Sequence, residues 1–210
     1  PSIATPLPVL PAGAFWRGGR VGASPVPRRH AVHAQPASAQ RLGRSDGAIL
    51  YSPRMNPAAP RALILAAGRG ERMRPLTDTC PKPLLPVRGK PLMQWTLEAL
   101  LRGGVRRLVV NTAWLGDQVE HHFGPQRLSD VRKQLSIKEQ FELHFSGEGH
   151  DFGGALETAG GIARALPLLA PGAGDVFWVA AGDVLAPGFD FAADAARRFA
   201  SSGRLAKLWL

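Results

Sequence analysis

From Arg61 onward the chain alternates short apolar runs with stretches in which apolar residues return every three or four positions, the pattern of strands feeding helices in parallel βαβ units. Ala62 to Leu65 reads as the first strand. Leu92 to Leu101, with Met93, Leu97, Leu100 and Leu101 along one face, reads as a helix stopped by Gly103 and Gly104. Leu108 to Val110 follows as a strand, Leu115 to Phe123 as a short helix, and Phe141 to Phe145 alternates as a strand again. Gly161 to Leu169 carries helical spacing up to Pro167. Val176 to Ala180 is a continuous apolar run, the mark of a strand buried on both faces, and it ends at Gly182 and Asp183. Phe191, Ala195 and Phe199 mark another helix and Leu205 to Leu210 a further strand. That strand closes on Leu-Trp-Leu with nothing after it to cover its edge, a liability that complete domains avoid, so the domain reads as truncated on its C-terminal side.

The first 60 residues have no such period. They hold ten of the 19 prolines, with seven Arg against the lone Asp46, and offer too little apolar surface to offset chain entropy. The division expected is a disordered, basic, Pro-rich extension over 1 to 60 and one α/β domain over 61 to 210. Most of the overall charge of +10 sits in that extension: it carries +6, and the remaining 19 basic and 15 acidic side chains leave +4 for the part that folds. A nucleic-acid partner is therefore not expected; a modest excess suits a small, phosphate-rich ligand. No apolar run approaches the roughly 18 residues that cross a bilayer, so no membrane partner is expected. The single cysteine, Cys80, excludes an intrachain disulfide and fits a reducing cytoplasm. His30, His33, His121, His122, His144 and His150 lack the spacing of metal ligands.

Candidate chemistry concentrates after the first strand, in Leu65-Ala-Ala-Gly-Arg-Gly-Glu-Arg-Met-Arg-Pro-Leu-Thr77. Gly68 and Gly70 allow backbone amides to approach phosphate oxygens closely, and Arg69, Arg72 and Arg74 add positive charge. The loop is not a Walker loop, because no Lys-Ser/Thr pair follows its last glycine. Nor is it a dinucleotide fingerprint: Met73 stands where a third glycine belongs, and Pro75 interrupts the helix that should follow. Cys80-Pro-Lys-Pro-Leu-Leu-Pro86 comes next, its prolines setting Lys82 on a stiff extended segment as a preorganised cation. Asp183 lies just past the C-terminal end of a buried strand, where open α/β sheets place their ligands.

In that order and spacing, the glycine loop and the lysine segment resemble the signature of the sugar-1-phosphate nucleotidyltransferases, over about Arg61 to Leu210. The resemblance implies a Rossmann-like, mostly parallel sheet flanked by helices, with a nucleoside triphosphate and a sugar 1-phosphate as substrates. It implies that Ala67, Gly68, Gly70, Glu71, Arg72 and Lys82 bind the nucleotide, that Arg72, Lys82 and Asp183 are catalytic, and that Asp183 holds Mg2+. Ala155-Leu-Glu-Thr-Ala-Gly-Gly-Ile162 is similar to the uracil-side loop of N-acetylmuramate-1-phosphate uridylyltransferases, with Glu157 and Gly160 at base and ribose; a plain helix start capped by Thr158 is the alternative. Val109-Val-Asn-Thr-Ala-Trp-Leu-Gly-Asp-Gln118 is similar to the same group and implies Asn111 and Trp114 on the sugar side. Two departures stand out. Ala181 replaces an Asn common before the Gly-Asp pair, and the family's second metal-binding aspartate lies beyond Leu210. UTP and N-acetylmuramate 1-phosphate, as in peptidoglycan recycling, are the substrates expected first. Mannose-1-phosphate guanylyltransfer, glucose-1-phosphate uridylyl- or thymidylyltransfer, and an inactive binding module stay open. Pro125 to Gln140 reads as an insertion without a role.

Overall fold

The computed structural model describes residues 13–17 and 59–209 apart from 173 and 187. In chain order the described strands are β1 Gly13–Arg17, β2 Arg61–Leu65, β3 Pro86–Val87, β4 Lys90–Pro91, β5 Arg107–Thr112, β6 Glu142–Gly147, β7 Val176–Ala181 and β8 Ala206–Trp209. The helices are α1 Leu76–Thr79, α2 Leu92–Arg102, α3 Gly116–His122, α4 Pro125–Gln134, α5 Glu148–Phe152, α6 Glu157–Leu169 and α7 Ala193–Ser201. The main sheet runs β6-β5-β2-β7-β1-β8, and its first four strands are mutually parallel.

Alternation along the parallel strands divides the core into two. Ala62 and Ile64 of β2, Leu108 and Val110 of β5, and Trp178 and Ala180 of β7 face Met93, Leu97, Leu100 and Leu101 of α2. The residues between them, Leu63, Val109, Phe177 and Val179, face Ile162, Ala165 and Leu169 of α6. The result is a helix–sheet–helix sandwich in which the central strands meet apolar groups on both sides, which is why they read as unbroken apolar runs.

The halt of α2 has two physical causes. Gly104 adopts φ 89, the left-handed turn, while the Val105 N–H donates back to Leu100 O at 3.1 Å. Gly103 is needed for a different reason: a Cβ there would lie 2.2 Å from the backbone oxygen of Phe191. Gly103→Ala should therefore cost about 1–3 kcal/mol, the range for overpacking, read as a lowered urea midpoint; an unchanged midpoint would show that the segment around Phe191 yields freely.

Several expectations need correction. Gly13–Arg17 lies inside the stretch read as disordered, yet it forms β1 between β7 and β8, antiparallel to both, with Ala14 opposite Val179 and Leu208. The rest of the extension reading falls outside the described residues. Pro167 does not end α6, which continues to Leu169 because Leu169 is fully buried in the second core and holds the last turn down. Lys82 is not on an extended segment: Lys82–Leu84 is one tight 3-10 turn, with the Leu85 N–H bonded to Lys82 O. Residues 125–140, to which no role was assigned, contain α4, a mostly polar helix anchored by buried Val131.

Candidate active site

The strand order reverses once within the parallel set. From β2 the chain builds outward through β5 to β6, then returns to lay β7 on the other side of β2. Open α/β sheets form their ligand crevice at such a switch, outside the carboxyl ends of the strands. The glycine loop leaves β2 at Leu65, and the Gly182-Asp183 turn leaves β7 at Ala181, which sits beside Leu65 in the register. Gly182 N–H donates to Leu65 O at 2.9 Å, and a Cβ on Gly182 would stand 3.0 Å from that oxygen. From the α2 side, Thr96 Oγ1 donates toward Ala181 O at 3.3 Å. The turn carrying Asp183 is thus pinned to the strand that launches the loop.

Lys82 and Asp183, far apart in the chain, meet here: Nζ lies 2.6 Å from Oδ2. Gly70 brings the lysine in. Its φ of 69 is left-handed, and a Cβ would lie 3.1 Å from Thr77 Cγ2 and 3.3 Å from Lys82 Cβ. Thr77 Oγ1 locks the same bend by donating to Gly70 O at 2.9 Å. Gly68 differs, since a Cβ there would meet nothing within 4 Å; its backbone faces open space while Ala67 beneath it is buried. Glu71 and Arg72 are exposed in the following short turn.

The loop's three arginines are not equivalent. Arg69 lies over the Trp114 ring, 3.6 Å from its centroid, and 3.9 Å from Asp78. Arg74 pairs with Asp78 at 2.8 Å. Among the described residues Arg72 makes no ion pair and no side-chain hydrogen bond, which leaves its guanidinium ready for an anion.

The two residues that the resemblance implies on the sugar side both hold onto the glycine loop. Asn111 is 3% exposed, with Oδ1 accepting from the Ala66 N–H at 2.7 Å and Nδ2 donating to Glu148 Oε1 at 2.8 Å. Trp114 donates from Nε1 to Thr77 O at 2.8 Å and gives its ring face to Arg69. Both brace the glycine loop. Strand parity was the available signal for Asn111, because it shares the α6-facing side of β5 with Val109. The base-side segment is also not a loop between elements: Glu157 to Gly161 form the first turns of α6, whose start has no side-chain cap, so Thr158 does not cap it. Glu157 is exposed with φ 59, a left-handed conformation uncommon for a residue with a side chain. Glu148, the fully buried first residue of α5, lies against Asn111 and went unnoticed in the sequence, since nothing in a lone Glu after an alternating strand signals its burial.

No group of three or more metal-binding side chains occurs among the described residues. Asp183 alone suits a hard cation that takes one carboxylate and completes its shell with phosphate oxygens and water, as magnesium does. No described helix is long and apolar enough to cross a membrane.

The sequence model of the family described as Nucleotidyl transferase matches residues 61–206. N-acetylmuramate alpha-1-phosphate uridylyltransferase of Neisseria meningitidis serogroup B is 51% identical over 125 residues, 60% of this chain and 47% of that protein. The enzyme of the same name from Caulobacter vibrioides is 38% identical, over 59% of this chain and 46% of its own length. UTP--glucose-1-phosphate uridylyltransferase of Synechocystis is 37% identical, over 60% of this chain and 31% of its own. The chain spans about half or less of the length of these relatives.

Proposed function

The chain belongs to the nucleotidyl transferase family, and from that premise we propose that the whole protein transfers a uridylyl group from UTP to a sugar 1-phosphate, N-acetylmuramate 1-phosphate first among them, with release of pyrophosphate. The observation that carries the reading is the meeting of Lys82 and Asp183 at the switch between β2 and β7, directly beside an open glycine turn. The 51% identity to an N-acetylmuramate alpha-1-phosphate uridylyltransferase supports the choice of sugar and base. Glucose 1-phosphate is the second choice, on the 37% identity to a glucose-1-phosphate enzyme.

The chemistry asks for positioning and charge neutralisation. A phosphate monoester has its second pKa at about 6, so the attacking oxygen is already ionised at neutral pH and no general base is needed. That oxygen bonds to the α-phosphorus of UTP, and the bond from this phosphorus to the bridging oxygen breaks as pyrophosphate leaves. Backbone amides around Gly68 cradle the triphosphate, Arg72 takes up charge, and Lys82 holds a cation at the reacting end. Asp183 would hold magnesium, which supplies neutralisation between two anions that otherwise repel. We place the reaction in the cytoplasm, in recycling of cell-wall sugar.

UTP with magnesium should raise the melting temperature of the 210-residue chain. At a hundred times the dissociation constant, binding to the folded state alone adds about 2.7 kcal/mol, a shift of several degrees in thermal unfolding. No shift at millimolar UTP would remove the glycine-loop assignment, and a larger shift with GTP would move the proposal to guanylyl transfer.

A further inference from the structure

Glu148 has no part in the chemistry above, yet its carboxylate is completely shielded from solvent. Its two oxygens serve two separate elements. Oε1 accepts from Asn111 Nδ2 at 2.8 Å, and Oε2 accepts from the backbone N–H of Leu156 at 2.7 Å. Asn111 carries the connection onward, its Oδ1 accepting from the Ala66 N–H at 2.7 Å. Ala66 is the first residue of the glycine loop, and Leu156 immediately precedes α6. Three hydrogen bonds in series therefore join the triphosphate side to the base side.

Two further features tighten this joint. A Cβ on Gly161 would lie 2.7 Å from both Asn111 Nδ2 and Glu148 Oε1, so the backbone of α6 is pressed directly against the pair. Glu157, next to Leu156, holds its left-handed φ of 59, a state that persists only where surroundings impose it, and the bond to Leu156 N–H is such a restraint. A carboxylate withdrawn from water is unfavourable unless its oxygens are hydrogen-bonded, and for cohesion alone an apolar side chain would serve as well.

We infer that Glu148 is a positioning residue that sets the start of α6 in register with the glycine loop through Asn111, so that order imposed on one side of the nucleotide is transmitted to the other. The inference rests on the nucleotide reading above. It predicts an unusual pattern of rescue. Glu148→Gln turns a donor toward either Asn111 Nδ2 or the Leu156 N–H, donor against donor. Asn111→Asp sets one carboxylate against another. In the combined variant Asn111→Asp/Glu148→Gln every bond is restored: the new amide donates to the new carboxylate and accepts from Leu156, while that carboxylate accepts from Ala66.

Isothermal titration of UTP with magnesium into the full chain, at a temperature where circular dichroism shows each variant folded, should find each single change weakening binding about tenfold or more, the scale of one lost hydrogen bond to a charged group. The combined change should return to within about threefold of the original, a strong coupling in the double-mutant sense. Folded single variants that bind UTP as the unaltered chain does would overturn the inference and leave the proposed function standing. If a single variant fails to fold, the unaltered chain decides by itself. Inorganic tripolyphosphate, which has no base, should slow amide hydrogen exchange at Leu156 and Glu157 as well as in the glycine loop. Protection confined to residues 66–72 would overturn the inference. An unaltered chain that binds neither UTP nor tripolyphosphate would bring down the proposed function and this inference with it.

Discussion

Lys82→Ala and Asp183→Ala should each lower pyrophosphate release by the whole protein at least about a hundredfold, the loss that follows removal of one preorganised electrostatic contact from an active site. The geometry explains why the cost falls on turnover and not on folding. Lys82 and Asp183 are 21% and 37% exposed at their side chains, so whichever partner remains can be solvated. Pairs in that setting contribute about 0–1 kcal/mol to stability. Arg72→Lys should be impaired less, because it keeps the charge and loses only the planar two-pronged contact with phosphate. The measurement is steady-state pyrophosphate release with UTP and N-acetylmuramate 1-phosphate, alongside a denaturation curve for each variant. Near-normal turnover and magnesium dependence in Asp183→Ala would return the Gly182-Asp183 turn to a purely structural feature.

The largest effect on stability should come from Trp178→Ala, at about 3–5 kcal/mol, the cost of emptying a buried aromatic site. Trp178 is fully buried at the centre of β7 and packs edge-on against Phe191, with ring centroids 5.0 Å apart, and at a tilt of 35° against Trp209, with centroids 5.3 Å apart. It also lies opposite Ala62 in the register, so the cavity would open beside the strand that launches the glycine loop. Against a total of about 5–15 kcal/mol for an ordinary domain, the variant should be near its limit at room temperature. A urea titration that found less than about 1 kcal/mol lost would mean that the ring cluster collapses to fill the space.

Local pattern carried most of the fold. The apolar runs of β2, β5 and β7 and the periodic face of α2 were legible because each element buries a face that its own sequence advertises. β1 was not, because Gly13–Arg17 joins the sheet by backbone pairing with residues more than 150 positions away, and composition records nothing of a distant partner. α4 was hidden for another reason: Pro125–Gln134 is polar almost throughout and buries only Val131. At the site, the glycine loop, Lys82 and Asp183 could be named from residue type and order, and the structure brings the latter two into contact. Asn111 and Trp114 could be singled out as well, but their hold on the glycine loop could not. Residue type marks them as special, but only strand parity and the contacts with Ala66, Glu148, Thr77 and Arg69 reveal that they face inward to the loop.

The insertion of β7 beside β2 also sets a timetable. β2, β5 and β6 follow one another along the chain and can pair as synthesis proceeds, whereas Ala62 must wait for Trp178 to emerge before its other edge is covered. Pairings of such long sequence separation form late, after the entropy of closing the intervening loop has been overcome. Until then Lys82 has no acid beside it, and the nascent chain exposes a cationic loop with no opposing wall. Competence to bind a nucleotide should therefore arrive on the ribosome as a single late event, once Asp183 has cleared the exit tunnel and β7 has docked.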